Sequence, residues 1–267
     1  MLGRAALASF VGWVVACAAT VRSPPPLPEP VVVVPSASLS SSASTVASAP
    51  PPRSPFAYAN IDPSDDDVVG PPEPRATCEA DLAAGKITSL PQKLTPYVQP
   101  KSKITCGAPQ VVTYRGSPSK ITWSPSVLVT CSMALAIARF ETILQEEAQR
   151  SFGKRVVHVR HLGTFVCREM AAYPGWISEH SYANAIDVAE IVLEGGATVS
   201  VLDHFAPKAA TAKTKEGTFL RAVARRAYDE EVFSSVLTPF YDKLHANHFH
   251  LDLARFRSDG VTFVPTP

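Results

Sequence analysis

Two short segments that together contain four histidines decide how this chain folds and what it can bind. Residues 178–187 read Ser-Glu-His-Ser-Tyr-Ala-Asn-Ala-Ile-Asp, and residues 245–252 read His-Ala-Asn-His-Phe-His-Leu-Asp. The first segment places a histidine and a carboxylate, His180 and Asp187, seven positions apart. Imidazole and carboxylate are side chains that bind zinc, and a catalytic zinc takes three protein ligands and keeps its fourth position open. The two segments together predict a divided zinc site.

The local sequence indicates how these side chains meet. His180 lies in a polar, small-residue stretch typical of a loop, whereas Asp187 opens the mostly apolar run 188–193. His248 and His250 stand two apart on a β-prone segment, so their side chains point to the same face. We expect one of them to bind metal and the other to lie beside the water that completes the site. The alternative is that these are ordinary surface or core histidines.

The order of these motifs resembles a known superfamily of zinc peptidases, the D-Ala-D-Ala metallopeptidases and murein endopeptidases. Their pattern is Ser-x-His-x-x-Gly-x-Ala-x-Asp followed by His-x-His. Over about residues 76–256 the chain is more similar to one branch, the bacterial extensin-like protein C-terminal domain. That similarity includes Gly163-Thr-Phe-Val-Cys-Arg168, Gly217-Thr-Phe-Leu-Arg221 and Leu237-Thr-Pro-Phe-Tyr241.

The resemblance implies a ligand set and a substrate-facing side. His180, Asp187 and His250 are implied as ligands of Zn²⁺, and His248 is implied to lie near the water at the metal. It also implies that Ser178 steadies the loop next to the substrate.

Arg168 follows the predicted strand over residues 155–167, where superfamily members hold an arginine that faces the substrate. A guanidinium there can bind a peptide carboxylate or stabilise the oxyanion of a tetrahedral intermediate. The alternative is a solvated charge at the end of a strand.

Two positions depart from the superfamily pattern. Ala183 stands where the pattern has glycine, which costs on the order of 1 kcal/mol if the backbone there needs a positive φ. Asn247 stands where related domains usually carry an acidic residue suited to act as general base. Because an amide cannot take a proton from water, His245 or His248 is expected to act as the base, since an imidazole with a pKa of about 6.5 accepts a proton near neutral pH.

The N-terminal residues indicate export. Arg4 precedes the mostly apolar run 5–16, which is short for a membrane span but typical of the core of a signal peptide. The run ends in Val-Val-Ala-Cys, which resembles a bacterial lipobox, so residues 1–17 are expected to form a signal peptide with Cys17 as the lipidated residue. This predicts a lipoprotein anchored at the periplasmic face of the outer membrane. A simply cleaved signal and a location in the cell envelope is the alternative.

Composition divides the rest of the chain. Residues 18–75 are rich in proline and serine and are expected to form a disordered tether. Residues 76–257 are expected to form one domain, followed by a C-terminal tail over 258–267. The formal net charge of +1 gives no sign of nucleic-acid binding.

Four further cysteines fall in the expected domain: Cys78, Cys106, Cys131 and Cys167. An even number in an exported domain predicts two disulfides, and the connectivity cannot be deduced from the sequence alone. We favour the pairs Cys78 with Cys106 and Cys131 with Cys167.

The apolar patterns predict an α+β domain in which helices flank an antiparallel sheet that cradles the metal at one face, a zinc-peptidase-like fold. The long helix is expected to begin between residues 124 and 132 and to end at Gly153. The other expected elements are strands over 155–167, 187–193, 197–202 and 248–253 and a helix over 217–228.

These expectations converge on a zinc-dependent, peptidase-like cell-wall protein that hydrolyses peptidoglycan stem peptides. The resemblance supplies the substrate class, and Asn247 keeps an alternative open. In that alternative the chain is a catalytically impaired, peptidoglycan-binding lipoprotein that keeps the metal site.

Overall fold

The computed structural model describes residues 70–171 and 173–265. Within them the chain is α+β with mainly antiparallel sheets, as predicted. The expected signal peptide over 1–17, its Cys17 and most of the expected tether over 18–75 lie outside the described residues. In the part of the chain that the structure describes, no helix combines the length and the apolar character needed to cross a membrane.

The described elements are four helices, two 3₁₀ turns and twelve strands. The helices are α1 (Cys78–Ala84), α2 (Cys131–Phe152), α3 (Val201–His204) and α4 (Lys215–Asp229), and the 3₁₀ turns cover Glu179–Tyr182 and Lys243–His245. The strands are β1 (Thr88–Val98), β2 (Thr105–Gly116), β3 (Thr122–Ser124), β4 (Val127–Thr130), β5 (Val156–His161), β6 (Glu169–Met170), β7 (Tyr173–Ile177), β8 (Ala185–Leu193), β9 (Thr198–Ser200), β10 (Ser235–Leu237), β11 (Phe249–Asp252) and β12 (Ser258–Gly260).

Helix α2 forms where the sequence predicted the long helix. The side chain of Thr130 accepts a hydrogen bond from the Met133 amide and caps its first turn. Gly153, at a φ of 63°, ends it in the left-handed conformation that favours glycine. Ile137 and Phe140 are fully buried, and burying side chains of this size stabilises the fold by about 1.5–3 kcal/mol each.

A seven-stranded sheet in the order β12-β10-β11-β8-β5-β3, with β9 paired to β8, carries the site. Its pairs are antiparallel except β10 with β12 and β3 with β5. On β11, Phe249 and Leu251 point into one apolar core with α2 and α4. Because side chains alternate along a strand, His250 and Asp252 point to the opposite face. The candidate site lies on that second face.

A second sheet, in the order β1-β2-β4, was not predicted from the sequence. Strand β1 is almost wholly exposed and shows no alternation of apolar and polar residues. It also contains Pro91 and Pro96, which are unfavourable inside a strand. The long pairing of β1 with β2 therefore depends on contacts that a pattern of hydrophobicity does not report.

The four cysteines form two disulfides, as predicted, but the predicted pairs are wrong. Cys78 is bonded to Cys131, and Cys106 is bonded to Cys167. Helix α1 packs against α2 and brings the first residue of each helix together, while β2 runs beside the 3₁₀ turn that follows Cys167. Two disulfides are typical of a protein exported to an oxidising compartment.

The strand predicted over 155–167 is shorter in the structure, because β5 ends at His161. Leu162 and Gly163 still form backbone hydrogen bonds with Asp187 on β8, and the residues after them are bonded to the 3₁₀ turn Glu179–Tyr182. The amide of Val166 donates to the carbonyl of His180, and the amide of Arg168 donates to Oγ of Ser181. Arg168 therefore lies on a loop that is fastened to the site.

Two other boundaries differ from the predictions. The strand predicted over 197–202 ends at Ser200, because the Ser200 side chain accepts from the Asp203 amide and starts α3. The tail predicted over 258–267 contains β12, which pairs in parallel with β10. The main sheet thus continues past residue 257.

Candidate metal centre

Three of the side chains expected to bind zinc meet at one point. Nε2 of His180 lies 3.1 Å from Oδ1 of Asp187 and 3.2 Å from Nδ1 of His250. Nδ1 of His250 lies 3.0 Å from the same Asp187 oxygen. Within the described residues, these three are the group whose ligand atoms converge in the way a metal ion requires. We refer to them as the His-Asp-His cluster.

The fold brings the cluster together through one cross-strand pair and one turn. His250 on β11 lies directly opposite Asp187 on β8 in an antiparallel pair, so both side chains stand on the same face. His180 comes from the 3₁₀ turn Glu179–Tyr182, which leads into β8. The seven-residue separation of His180 and Asp187 is thus the length of a turn that folds back onto a strand.

The turn that carries His180 ends in an unusual backbone conformation at Ala183. This residue has a φ of 54° and a ψ of 31°, the left-handed region in which glycine is favoured. The backbone at Ala183 thus has the positive φ that was considered for this position, and alanine there costs on the order of 1 kcal/mol relative to glycine. Buried hydrogen bonds hold the turn in place, because Thr130 donates to Asn184 and Asn184 donates to Glu179.

The donor set fits a tetrahedral zinc ion. Ligand atoms about 2.0–2.1 Å from zinc in a tetrahedral site lie about 3.3 Å from one another, close to the separations in the cluster. Nε2 of His250 lies 2.9 Å from Oδ2 of Asp252. A carboxylate that accepts from the second nitrogen of a ligand histidine is the arrangement that orients such ligands in metalloproteins. Asp252 was not identified from the sequence, although it lies two residues after His250 and so shares its face.

The electrostatics of the metal-free cluster favour a charged pair. Burial opposes ionisation of Asp187, but hydrogen bonds from His180 and His250 outweigh it and hold the pKa of Asp187 well below its usual range. Burial likewise opposes protonation of His250, but hydrogen bonds to Asp187 and Asp252 raise its pKa to about 10. A metal ion must displace a proton from His250, so metal affinity is expected to fall as the pH falls.

His248 stands next to the cluster with one nitrogen turned toward it. Its Nε2 atom lies 3.6 Å from Oδ1 of Asp187, and its Nδ1 atom lies 2.8 Å from Oδ1 of Asn247. Burial is the largest cause that lowers the pKa of His248, to about 4. The imidazole is therefore neutral near pH 7.

His245 is the third histidine of the second segment and lies next to the other two. Its Nδ1 atom is 2.7 Å from Oδ1 of Asp242, and the same oxygen caps the 3₁₀ turn Lys243–His245. The ring of His245 lies 5.2 Å from that of His248, measured between centroids. It lies 5.9 Å from the ring of His250, again between centroids, so His245 stands beside both histidines. Asp242 was not identified from the sequence.

Arg168 and Ser178 line the same pocket, which has a volume of about 360 Å³. The backbone carbonyl of Arg168 accepts from the Ser178 amide and from the Ser181 hydroxyl. The adjoining Cys106–Cys167 disulfide fixes the start of this loop to β2. The backbone of Arg168 is held, while its guanidinium is exposed at the rim and contacts the carbonyl of Glu169. Ser178 contacts Arg168 through its backbone amide.

The class defined by this fold and site is a disulfide-bonded α+β domain with a His-Asp-His cluster at the mouth of a pocket. A family model described as Extensin-like protein C-terminus matches residues 76–262. That match covers more than half of the chain, so the chain belongs to the extensin-like protein C-terminus family. Comparisons with curated proteins and with solved structures found no match.

Proposed function

We propose that this domain is a zinc-dependent peptidase-like hydrolase of the bacterial cell wall that cleaves stem-peptide bonds of peptidoglycan. The observation that carries the proposal is the meeting of His180, Asp187 and His250 at separations of 3.0–3.2 Å beside a pocket. The similarity of the motif order to the zinc peptidases of the D-Ala-D-Ala metallopeptidase superfamily supplies the substrate class and the expected zinc-peptidase-like fold.

His180, Asp187 and His250 would hold the ion, with Asp252 orienting His250 through its second nitrogen. Zinc at this position would supply a Lewis acid that polarises a carbonyl oxygen and makes water more acidic.

His248 is the residue best placed to move the proton. Its Nε2 atom carries no proton when Nδ1 donates to Asn247, and it faces the same oxygen of Asp187 that belongs to the cluster. We assign it the role of general base toward the attacking water and of general acid toward the leaving amine. The ring of His245 lies beside that of His248 and is held in place by Asp242.

Arg168 is assigned to the substrate. Its guanidinium stands at the rim of the pocket, and the loop beneath it is held by the Cys106–Cys167 disulfide and by Ser181. A guanidinium in this position can bind a carboxylate of the peptide in a bidentate manner or stabilise a developing oxyanion. Ser178 lines the pocket beside it.

The proposed location is the bacterial periplasm. Disulfides form in the bacterial periplasm, the compartment in which peptidoglycan is accessible. A lipid on Cys17 with a tether over 18–75 would anchor the domain to the membrane and let it reach the wall.

A second candidate is a peptidoglycan-binding lipoprotein that keeps the metal site without turnover. Asn247 favours it, because the superfamily resemblance places an acidic general base at this position. His248 with its unprotonated Nε2 atom favours the enzyme.

The deciding experiment digests purified peptidoglycan with the zinc-loaded full chain and identifies the released fragments by mass spectrometry. If the domain is a hydrolase, new peptide ends should appear, and their formation should depend on zinc and on His248. The matched control is His158→Ala, because His158 bonds to Thr122 and Ser124 and does not line the pocket. A folded, zinc-loaded wild type that cleaves neither crosslinked nor monomeric muropeptides refutes the enzyme and leaves the binding protein.

A further inference from the structure

The pocket contains a second row of polar side chains beside the metal centre. In the strand register, Ser235 on β10 lies opposite Asp252 on β11 and beside Ser258 on β12. These positions are two residues along their strands from the row that holds His250, Leu237 and Gly260. Neighbouring rows on one face of a sheet lie on the order of 7 Å apart. We call Glu179, Ser235, Asp252 and Ser258, which all line the pocket, the polar floor.

Ser235 is the unexplained member of the polar floor. The residue is 1% exposed, and its hydroxyl has no hydrogen-bond partner among the described residues. Buried hydroxyl groups in native proteins are nearly always hydrogen-bonded, so a hydroxyl without a partner calls for a specific reason. A hydroxyl that lines a pocket and lacks a protein partner is what a binding site shows before its ligand arrives.

The rest of the polar floor is rich in acceptors. Glu179 is buried and lines the same pocket as Ser235, and one of its oxygens accepts from the Asn184 amide group at 2.8 Å. One oxygen of Asp252 accepts from His250 and the other from the Ala254 amide. The positive charges that act on Glu179 are those of His250 and Arg255, and the negative charge of Asp252 acts against them.

This chemistry selects one kind of ligand group. A carboxylate or phosphate brings only acceptors and would meet the negative charge of Asp252. An apolar group would leave the Ser235 hydroxyl without a partner, which is unfavourable in a buried site. An ammonium group carries three N–H donors and no acceptor, and so matches a floor of hydroxyl and carboxyl oxygens.

We propose that Glu179, Ser235 and Ser258 form a subsite for a primary ammonium group of the bound peptide. The peptide nature of the ligand rests on the proposed function, whereas the preference for an ammonium group rests on the polar floor alone. The group can come from a diamino-acid side chain or from the amino terminus of the peptide. Because the polar floor lies on the order of 7 Å from the His-Asp-His cluster, the ammonium group would sit about two residues of extended chain from the metal centre.

Binding of three synthetic stem tetrapeptides to the full chain tests the subsite. The first has lysine at its third position and a free amino terminus, the second has norleucine in place of lysine, and the third is the lysine peptide with an acetylated amino terminus. Affinities are measured by isothermal titration calorimetry after chelation of metal, so that no turnover occurs. The peptide that lacks the recognised ammonium group is expected to bind about tenfold more weakly, the usual effect of losing a hydrogen bond to a charged group.

Substitutions tie this preference to the polar floor. Ser235→Ala and Glu179→Gln are expected to remove most of the preference. Ser234→Ala is the matched control, because Ser234 is the next residue along the chain and does not line the pocket. Thermal unfolding separates binding from folding, since Ser235→Ala deletes a hydroxyl that has no protein partner and should not lower the midpoint.

Three results would overturn the subsite: equal affinity for all three peptides, no binding of any of them, or an unchanged preference in Ser235→Ala. Because the measurement needs neither zinc nor cleavage, its outcome is independent of the test of the enzyme. A chain that prefers the ammonium peptide but never cleaves it keeps the subsite and loses the peptidase. A chain that cleaves peptidoglycan without this preference keeps the peptidase and loses the subsite.

Discussion

The side-chain oxygen of Asn247 lies 2.8 Å from Nδ1 of His248. An amide oxygen can only accept, so Nδ1 of His248 is the donor and Nε2 keeps its lone pair. Nε2 is the nitrogen that lies 3.6 Å from Oδ1 of Asp187. Asn247 therefore holds His248 in the tautomer that the proposed role of general base requires.

Replacing Asn247 tests this relationship. Asn247→Leu removes the acceptor with little change in volume, and we expect kcat on muropeptides to fall about tenfold or more, with KM nearly unchanged, because misoriented His248 loses part of the 10²–10⁴-fold effect of a general base. Asn247→Asp keeps an acceptor and should retain activity. The tautomer itself is read from the ¹⁵N shifts of the His248 ring, which should show protonated Nδ1 in wild type and a mixture in Asn247→Leu. An unchanged spectrum in Asn247→Leu would contradict the assignment.

Metal content tests the His-Asp-His cluster directly. The full chain is expected to retain about one zinc ion after dialysis, and His180→Ala or Asp187→Ala should lose it, because each removes one of three ligands. His158→Ala, which lies away from the pocket, should keep it. Elemental analysis of the dialysed proteins is the measurement. Full zinc content in both ligand variants would show that the ion, if bound, sits elsewhere.

The role of Asp252 gives a finer prediction. Asp252→Asn keeps the shape of the side chain but removes the carboxylate that accepts from Nε2 of His250. Loss of such an orienting carboxylate typically weakens metal binding about 10–100-fold, so competition with a chromophoric chelator should show this decrease. Asp203→Asn is a suitable control, since Asp203 lies on α3 and does not line the pocket. Equal affinity in Asp252→Asn and wild type would mean that Asp252 does not tune the site.

Much of the candidate site follows from the sequence because its geometry is local. The alternation along β11 places His250 and Asp252 on one face, and the loop before β8 is long enough to bring His180 to Asp187. What the sequence does not report is how distant elements pack. The pairing of β10 with β11 and β12, which creates the polar floor, joins segments whose individual patterns are too short to be recognised.

The disulfides show the same limit. Four cysteines in an exported domain predict two bonds, but the choice of partners depends on the docking of α1 against α2, which no spacing encodes. The exposed strand β1 was not predicted for a related reason. It is held by hydrogen bonds to β2 and has no continuous apolar face.

Peptide mapping tests the pairing. Proteolysis without reduction, followed by mass spectrometry, should release one peptide pair that contains Cys78 with Cys131 and another that contains Cys106 with Cys167. Removing a native disulfide typically costs about 2–5 kcal/mol, so a variant with both Cys106→Ser and Cys167→Ser should unfold at lower denaturant concentration. Four free thiols in protein taken from the cell envelope would contradict both disulfides.

The last prediction concerns a buried carboxyl far from the metal centre. Glu141 on α2 is 0% exposed, and it accepts hydrogen bonds from the Tyr114 hydroxyl, the Trp123 indole and the Ser117 hydroxyl. Burial raises the pKa of Glu141 above its ordinary value of 4.5, and the three hydrogen bonds reduce the size of that increase. The folded state therefore binds its proton more tightly than the unfolded state does.

The sign of the pH dependence follows from this difference. The contribution of protonated Glu141 to the free energy of unfolding is complete below the unfolded pKa of about 4.5 and is lost as the pH rises through the folded pKa. Glu141→Gln cannot ionise, so the stability of the variant relative to wild type should increase as the pH rises from 4 toward 8. Denaturant unfolding at several pH values, with the disulfides intact and with Glu146→Gln on the same helix as control, measures the difference. A difference that stays constant across this range would mean that Glu141 has the same pKa in the folded and unfolded states.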